Sequence, residues 1–461
     1  MNNALPAHVR TLVVGAGFAG LGIAATLLRA DPSADVLVIE RGDDVGGTWR
    51  DNTYPGCACD VPTALYSFSF APSPEWGHTF ARQPEILAYL QQVAADTGVR
   101  PRVVTGCGLL GAEWDTPAQL WRVRTSLGQL TASVVVAATG TLSEPKLPDI
   151  DGLESFRGTA FHSARWEHTH DLRGERVAVI GTGASAVQFV PEIADTVAHL
   201  TVRGVVYSYR EGYVVVLAKV TRALPVVTLV AKVLMRNQVR ERGLRAALTP
   251  SYTLGCKRLL LSATWLPTLT RPDVDLVTTG IDRVTERGVV DNDGVEHLVD
   301  TIVFGTGFTA TEPPVAHLLR GRDGASLAQH WAGSPHAYRG STVAGFPNLF
   351  LMYGPNTNLG HSSIVYMLES QAAYIRDALS TMDVRGLAVV DVSPAAQRRY
   401  NDRIAEALAR TVWNAGGCSS WYIDSTGRNS AMWPTFTWTF RRLTRRFDVE
   451  NYQVEKVQVP R

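Results

Sequence analysis

What most restricts the fold of this chain is one device that occurs twice. In the first copy the strand-like TLVV, Thr11 to Val14, runs into GAGFAG, Gly15 to Gly20, which opens an Ala- and Leu-rich helix. A second strand-like run, VLVI, ends at Glu40, an acid 20 residues (40 minus 20) after Gly20. Gly15, Gly17 and Gly20 permit a tight turn and close approach of a pyrophosphate, helix-terminal N–H groups receive its charge, and Glu40 can accept from a ribose hydroxyl. Strand, helix and acid together make this a dinucleotide site and not a structural glycine turn. In the second copy RVAVI, Arg176 to Ile180, enters GTGASA, with Gly181, Thr182, Gly183 and Ser185 opening another helix. The following strand-like HLTV leads to Arg203, where the first copy has its acid. A cation there can pair with a 2′-phosphate. The second site reads as NADP and the first as FAD or NAD, the alternative for Arg203 being a solvated strand-end charge.

Two nucleotide sites in one chain imply hydride transfer from NADPH to a flavin. VVVAATG (Val134 to Gly140) and DTIVFGTGF (Asp300 to Phe308) are apolar strands ending in small residues, suited to backbone approach near a cofactor. After GFPNLFLMYGPNTNLGHSS, the residues Ile364, Met367, Leu368, Gln371 and Ile375 recur at helical spacing and read as core. The expected fold is α/β, with two Rossmann-like dinucleotide-binding domains and a helical insertion. The FAD domain spans 1–145 and 308–461, the NADP domain 146–203 and 257–307, and a helical subdomain 204–256.

At 461 residues, with 44 Lys plus Arg against 43 Asp plus Glu, the chain has room for such domains and no overall charge that marks nucleic acid or an anionic membrane as a partner. Five dispersed cysteines argue against a secreted disulfide framework, and the strand that starts near Thr11 leaves no room for a signal peptide, so a cytoplasmic location is expected. The apolar segment Tyr213 to Arg236 is broken by Lys219, Arg222, Pro225 and Lys232, which excludes a membrane span. It reads as a helical subdomain over a pocket in preference to a membrane-surface segment. Near the end, FTWTF (Phe436 to Phe440) alternates like a strand with one buried face, and RRLTRRF (Arg441 to Phe447) reads as a solvated edge.

Two longer signatures remain. FRGTAFHSARWE carries Phe156, Gly158, His162 and Trp166 in the linker between the glycine turns, and GGTWRDNTYPGCACD carries Gly47, Trp49, Tyr54, Pro55, Gly56 and Asp60. On these the sequence resembles the type I Baeyer-Villiger monooxygenases, class B flavoprotein monooxygenases, over nearly its whole length. YGPNTNLGHSS and GRNSAMWPTFTWTFRRLTRRF lie nearest the hydroxyacetophenone monooxygenase branch. The resemblance implies FAD and NADPH as cofactors and O2 with a ketone, an aryl ketone by that branch, as substrates. It implies an ester or lactone as product, formed through a C4a-peroxyflavin. It assigns cofactor contacts to Thr48, Trp49, Asp60 and Tyr66, a 2′-phosphate contact to Lys257, the active-site cation to Arg258, and the support of that cation to Asp60. Trp421, in SSWY, would cover the nicotinamide, and His162 would be a hinge residue, against simple interdomain packing of the linker. The chain departs from the family at Glu167 and at Val202-Arg203-Gly204-Val205, where Gln-Arg-Thr-Pro is usual. Competing readings are an N- or S-oxygenating flavoprotein, a non-catalytic dinucleotide-binding protein, and a disulfide reductase, for which Cys57 and Cys59 supply only C-x-C.

Overall fold

Strands that are apolar on every residue need cover on both faces, and a parallel sheet flanked by helices provides it. The computed structural model describes residues 5–203, 208–209, 224–249, 251–360, 362–417 and 420–457. In it the strand His8–Val14 pairs in parallel with Val36–Ile39 on one side and with Gly128–Ala137 on the other. The long strand Gly128–Ala137 forks: its first half pairs antiparallel with Leu120–Thr125, and Val135 to Ala137 pair in parallel with Leu349–Leu351. Leu319–Arg320 closes the far edge against Leu109–Asp115. Strands from beyond residue 308 thus complete the sheet begun at residue 8.

The second sheet is wholly parallel, in the order Val274–Val277, His199–Arg203, Arg176–Ile180, Thr301–Phe304, Thr159–His162. Its last strand lies inside the FRGTAFHSARWE signature. The register places Ile180 beside Arg203, level with the second glycine turn.

The helix Phe18–Ala30 is buried along most of its length because it lies between the first sheet and the helix Ile364–Arg385. On that second helix Met367, Leu368, Gln371 and Ile375 are buried, as their spacing predicted. The inserted region contains the helices Leu224–Gln238 and Arg242–Leu248; residues 213–223 of the apolar segment lie outside the described residues.

One expectation fails. The FTWTF stretch is not a strand: Thr437–Leu443 is a helix. Phe440 and the cap residue Thr444 are buried one turn apart, and Phe440 packs edge-on against Trp433 at 5.1 Å. The period-2 reading mistook Phe436 and Trp438 for one buried face, whereas both are exposed and stack on each other. Arg442, Arg445 and Arg446 are exposed as expected of a solvated edge, but Arg441 lies 3.5 Å over the Tyr366 ring and pairs with Glu369.

Candidate active site

Each glycine turn delivers a helix whose first N–H groups have no side-chain cap. Gly17 precedes Phe18–Ala30 and Gly183 precedes Ala184–Ile193, neither with a capping side chain, whereas Ser326, Ser363 and Ser393 cap other helices. Uncapped N–H groups at a helix start are what a phosphate needs. A Cβ on Gly20 would fall 1.8 Å from the Gly15 carbonyl oxygen, so only glycine lets this helix close on the strand. Glu40, 5% exposed, accepts from the Ala16 and Gly42 amides at 2.8 Å each and from Arg50 at 3.0 Å. Three of roughly four acceptor positions on the carboxylate are thereby used, leaving one for a ribose hydroxyl. Arg50, which sequence reasoning missed, sits inside the second signature and fixes this carboxylate.

At the second turn Gly181 has φ +109° and its N–H donates to the Arg203 carbonyl at 3.2 Å. Arg203 is not the solvated strand-end charge of the alternative reading: it is 5% exposed, and its Nη2 donates to the Thr279 carbonyl. Among the described residues its buried Nη1 has no partner, and burial pushes its pKa down. Such an orphaned cationic donor fits an anionic ligand that the protein does not itself supply. Lys257 lies 4.9 Å over the Tyr252 ring, and among the described residues no carboxylate pairs with it.

Arg258 and Asp60, 198 residues apart, meet in a bidentate pair: Nε donates to Oδ2 and Nη2 to Oδ1, each at 2.6 Å. A third donor, Nη1, reaches the Leu359 carbonyl at 3.4 Å. The Asp60 charge holds the Arg258 pKa above its usual range. Of the five guanidinium N–H groups, one on each Nη is left for another acceptor. Around this pair Trp49 lies half-turned onto Tyr66, its Nε1 donating to the Tyr66 hydroxyl at 3.1 Å, on the short helix Thr48–Asp51. Trp421, 42% exposed, lines a cavity of about 70 Å³ with Gly140, Tyr353 and Asn358.

A Baeyer-Villiger monooxygenase of Streptomyces coelicolor is 48% identical, over 97% of this chain and 93% of its own length. This chain belongs to the Baeyer-Villiger monooxygenase family. A second family member, from Pseudomonas aeruginosa, is 44% identical over 97% of this chain and 92% of its own. Residues 12–206 match the broader family of pyridine nucleotide-disulphide oxidoreductases. The crystal structure of OTEMO in complex with FAD and NADP superposes with a TM-score of 0.88 at 25% identity, covering 97% of this chain and 99% of that one. This Baeyer-Villiger monooxygenase is a flavoprotein whose cofactors are FAD and NADP, and its glycine turns, Glu40 and the orphaned Arg203 nitrogen fit those two nucleotides.

The disulfide-reductase reading falls here. Cys57 and Cys59 are free and buried, and burial pushes their pKa values up to about 11 and about 12, the reverse of a reactive dithiol. Cys256, next to Lys257, is disulfide-bonded.

The linker signature of this monooxygenase also has a physical account. A Cβ on Gly158 would meet the Asp300 carbonyl at 2.2 Å and the Phe156 ring at 2.6 Å, so the Phe-x-Gly pair is a packing unit. His162 ends its strand, takes the Ala164 N–H on Nδ1 at 3.0 Å, and its ring lies 5.8 Å from Phe308. Beside it the two crossings between the sheets run together: Lys146 donates to Gly307 and Thr309 to Glu144. Trp166 packs on Phe189 at 5.2 Å, and Phe189 on Tyr54 at 6.0 Å, so an aromatic row joins the two signatures. Gln188 completes the junction, accepting from the Tyr54 hydroxyl at 3.0 Å and donating to the Ala58 carbonyl at 2.9 Å. Phe189 and Gln188 went unnoticed in the sequence. The signal was there, since both lie in the helix opened by the second glycine turn, but nothing in sequence names the partner across the sheets.

Proposed function

We propose that this enzyme consumes NADPH and O2 to insert one oxygen atom beside the carbonyl of an aryl ketone, with Arg258 as the active-site cation. The balance is ketone, O2, NADPH and a proton giving ester or lactone, water and NADP⁺. FAD, when bound, takes the hydride and activates oxygen. The protein's residues bind, orient and stabilise. Uncapped helix starts at Gly17 and Gly183 take the pyrophosphates, and Arg203 and Lys257 receive the 2′-phosphate that distinguishes NADPH from NADH.

The observation that carries the reading is the Asp60–Arg258 fork at 2.6 Å. Oxygen must attack the ketone as an anion, and a cation fixed in advance stabilises that charge without reorganising. Asp60 orients Arg258 and keeps it charged, while the spare N–H on each Nη faces the reaction. Trp421 and Tyr353 give the adjoining cavity aromatic walls, which support an aryl substrate and the hydroxyacetophenone branch. His162 and the paired crossings at 144–146 and 307–309 serve as the hinge between the FAD unit, 1–145 and 308–461, and the NADP unit, 146–203 and 257–307.

The test is a panel of aryl and alicyclic ketones with products identified by mass. Ester from an aryl ketone supports the reading. NADPH oxidation without oxygenated product from any ketone overturns it.

A further inference from the structure

The overall charge of +1 hides a local concentration. Residues 224–249 carry five cations, Lys232, Arg236, Arg240, Arg242 and Arg245, against one carboxylate, Glu241, a net of +4 (5 minus 1) that leaves −3 (1 minus 4) for the rest of the chain. Four of the five, Lys232, Arg236, Arg242 and Arg245, line one cleft of about 300 Å³ between the helices Leu224–Gln238 and Arg242–Leu248. Among the described residues no carboxylate lines it and none of the four forms an ion pair. Arg245 is held in place by the Val239 and Arg240 carbonyls.

The same helix exposes apolar side chains beside these cations. Ala231, Met235 and Val239, four residues apart, anchor the segment in the core. On the outer side Leu229 is 63% exposed, Val230 47% and Val233 50%. Positions 229, 232, 233 and 236 recur at i, i+3, i+4 and i+7, so Leu229 and Val233 share one outward face with Lys232 and Arg236. Exposed Leu and Val in water are a cost with no return, and four unpaired cations around one cleft repel one another unless anions join them. A surface that offers phosphates at one depth and hydrocarbon just below them relieves both.

We propose that this helical pair docks on an anionic phospholipid bilayer. Headgroup phosphates enter the cationic cleft, and Leu229, Val230 and Val233 sink into the boundary of the acyl chains. The contact is peripheral, since no described helix is long and apolar enough to cross a membrane. Docking would bring the enzyme to apolar ketones dissolved in the bilayer. The surface is separate from the Asp60–Arg258 site, so the proposal holds or fails independently of the substrate assigned above.

The test is co-sedimentation of the full-length, FAD-loaded protein with vesicles of phosphatidylglycerol in phosphatidylcholine, against phosphatidylcholine alone, at low and high salt. Binding should require the anionic lipid and weaken with salt. Each cation near such a surface is worth about a 5-fold step in partition, so Arg236→Glu with Arg242→Glu should lower it at least about 25-fold. Leu229→Ser with Val233→Ser should weaken it as well, and both pairs should keep the parent rate of NADPH oxidation with a soluble ketone, which confirms folding. Equal binding to both vesicle types, no binding to either, or unchanged binding after charge reversal overturns the proposal. So does complete release by inorganic phosphate at an ionic strength where chloride releases nothing, because the cleft would then be a site for free phosphate.

Discussion

Replacing Arg258 by Ala separates the two halves of the reaction. The guanidinium commits Nε and Nη2 to Asp60 and Nη1 to Leu359, which leaves two N–H groups for the anion that develops on oxygen. Losing a single preorganised donor of this kind costs about 2.7–4 kcal/mol, or roughly 10²–10³ in rate. Two donors and a full charge disappear here, so oxygenation should fall at least about 10³-fold. Hydride transfer to the flavin depends on nicotinamide geometry, and anaerobic bleaching of the FAD absorption by NADPH should proceed within a few-fold of the parent. Arg258→Lys should recover only part of the loss, because an ammonium cannot span Asp60 and a second acceptor with a planar fork. Asp60→Ala should also be slow. The double variant should lose less than the sum of the two single losses, as members of one unit do. Stopped-flow reduction followed by product analysis reads all of these. If Arg258→Ala forms ester at the parent rate, Arg258 is not the active-site cation; if reduction and oxygenation fall together, its role is in nucleotide binding.

Other expectations are open to direct measurement. Arg203→Ala and Lys257→Ala should each raise the KM for NADPH more than that for NADH, and equal use of both nucleotides by the parent would refute the 2′-phosphate assignment. Phe189→Ala removes a fully buried ring from the aromatic row and should cost about 3–5 kcal/mol of stability; a loss below about 1 kcal/mol by thermal unfolding would mean that Trp166 and Tyr54 close the gap. Burial lowers the pKa values of His162, His330 and His336, so the unfolded chain binds more protons near the ordinary histidine value. Stability should therefore fall as pH drops below about 6.5, level off below the folded values, and show a shallower slope in His162→Gln, as urea unfolding across that range would reveal. Cys57→Ser with Cys59→Ser should keep NADPH-dependent oxygenation, and its loss would restore a role for these thiols.

How much of this was legible in the sequence depended on whether a contact is local. The glycine turns were readable because their constraint lies within a few residues: a Cβ on Gly20 would meet the Gly15 carbonyl, and the acid that follows is placed by one strand and one helix. The helix after Ser363 was readable because burial on one face repeats along the chain. FTWTF misled because five residues satisfy a period of two by chance, and only the continuation to Leu443 and the cap at Thr444 shows a helix. Asp60 and Arg258, 198 residues apart, carry no mutual signal in spacing or composition, and only the resemblance to a known family joined them. The linker shows the same limit from the other side. Its Phe, Gly, His and Trp were visible as fixed residues, but their reason lies in what they touch: Asp300 against Gly158, Phe308 beside His162, and Phe189 between Trp166 and Tyr54. Each partner belongs to another strand, linker or helix, and two of the four contacts, His162 with Phe308 and Phe189 with Tyr54, run between segments attached to different sheets. A signature with no local reason is therefore evidence of a junction between packed elements.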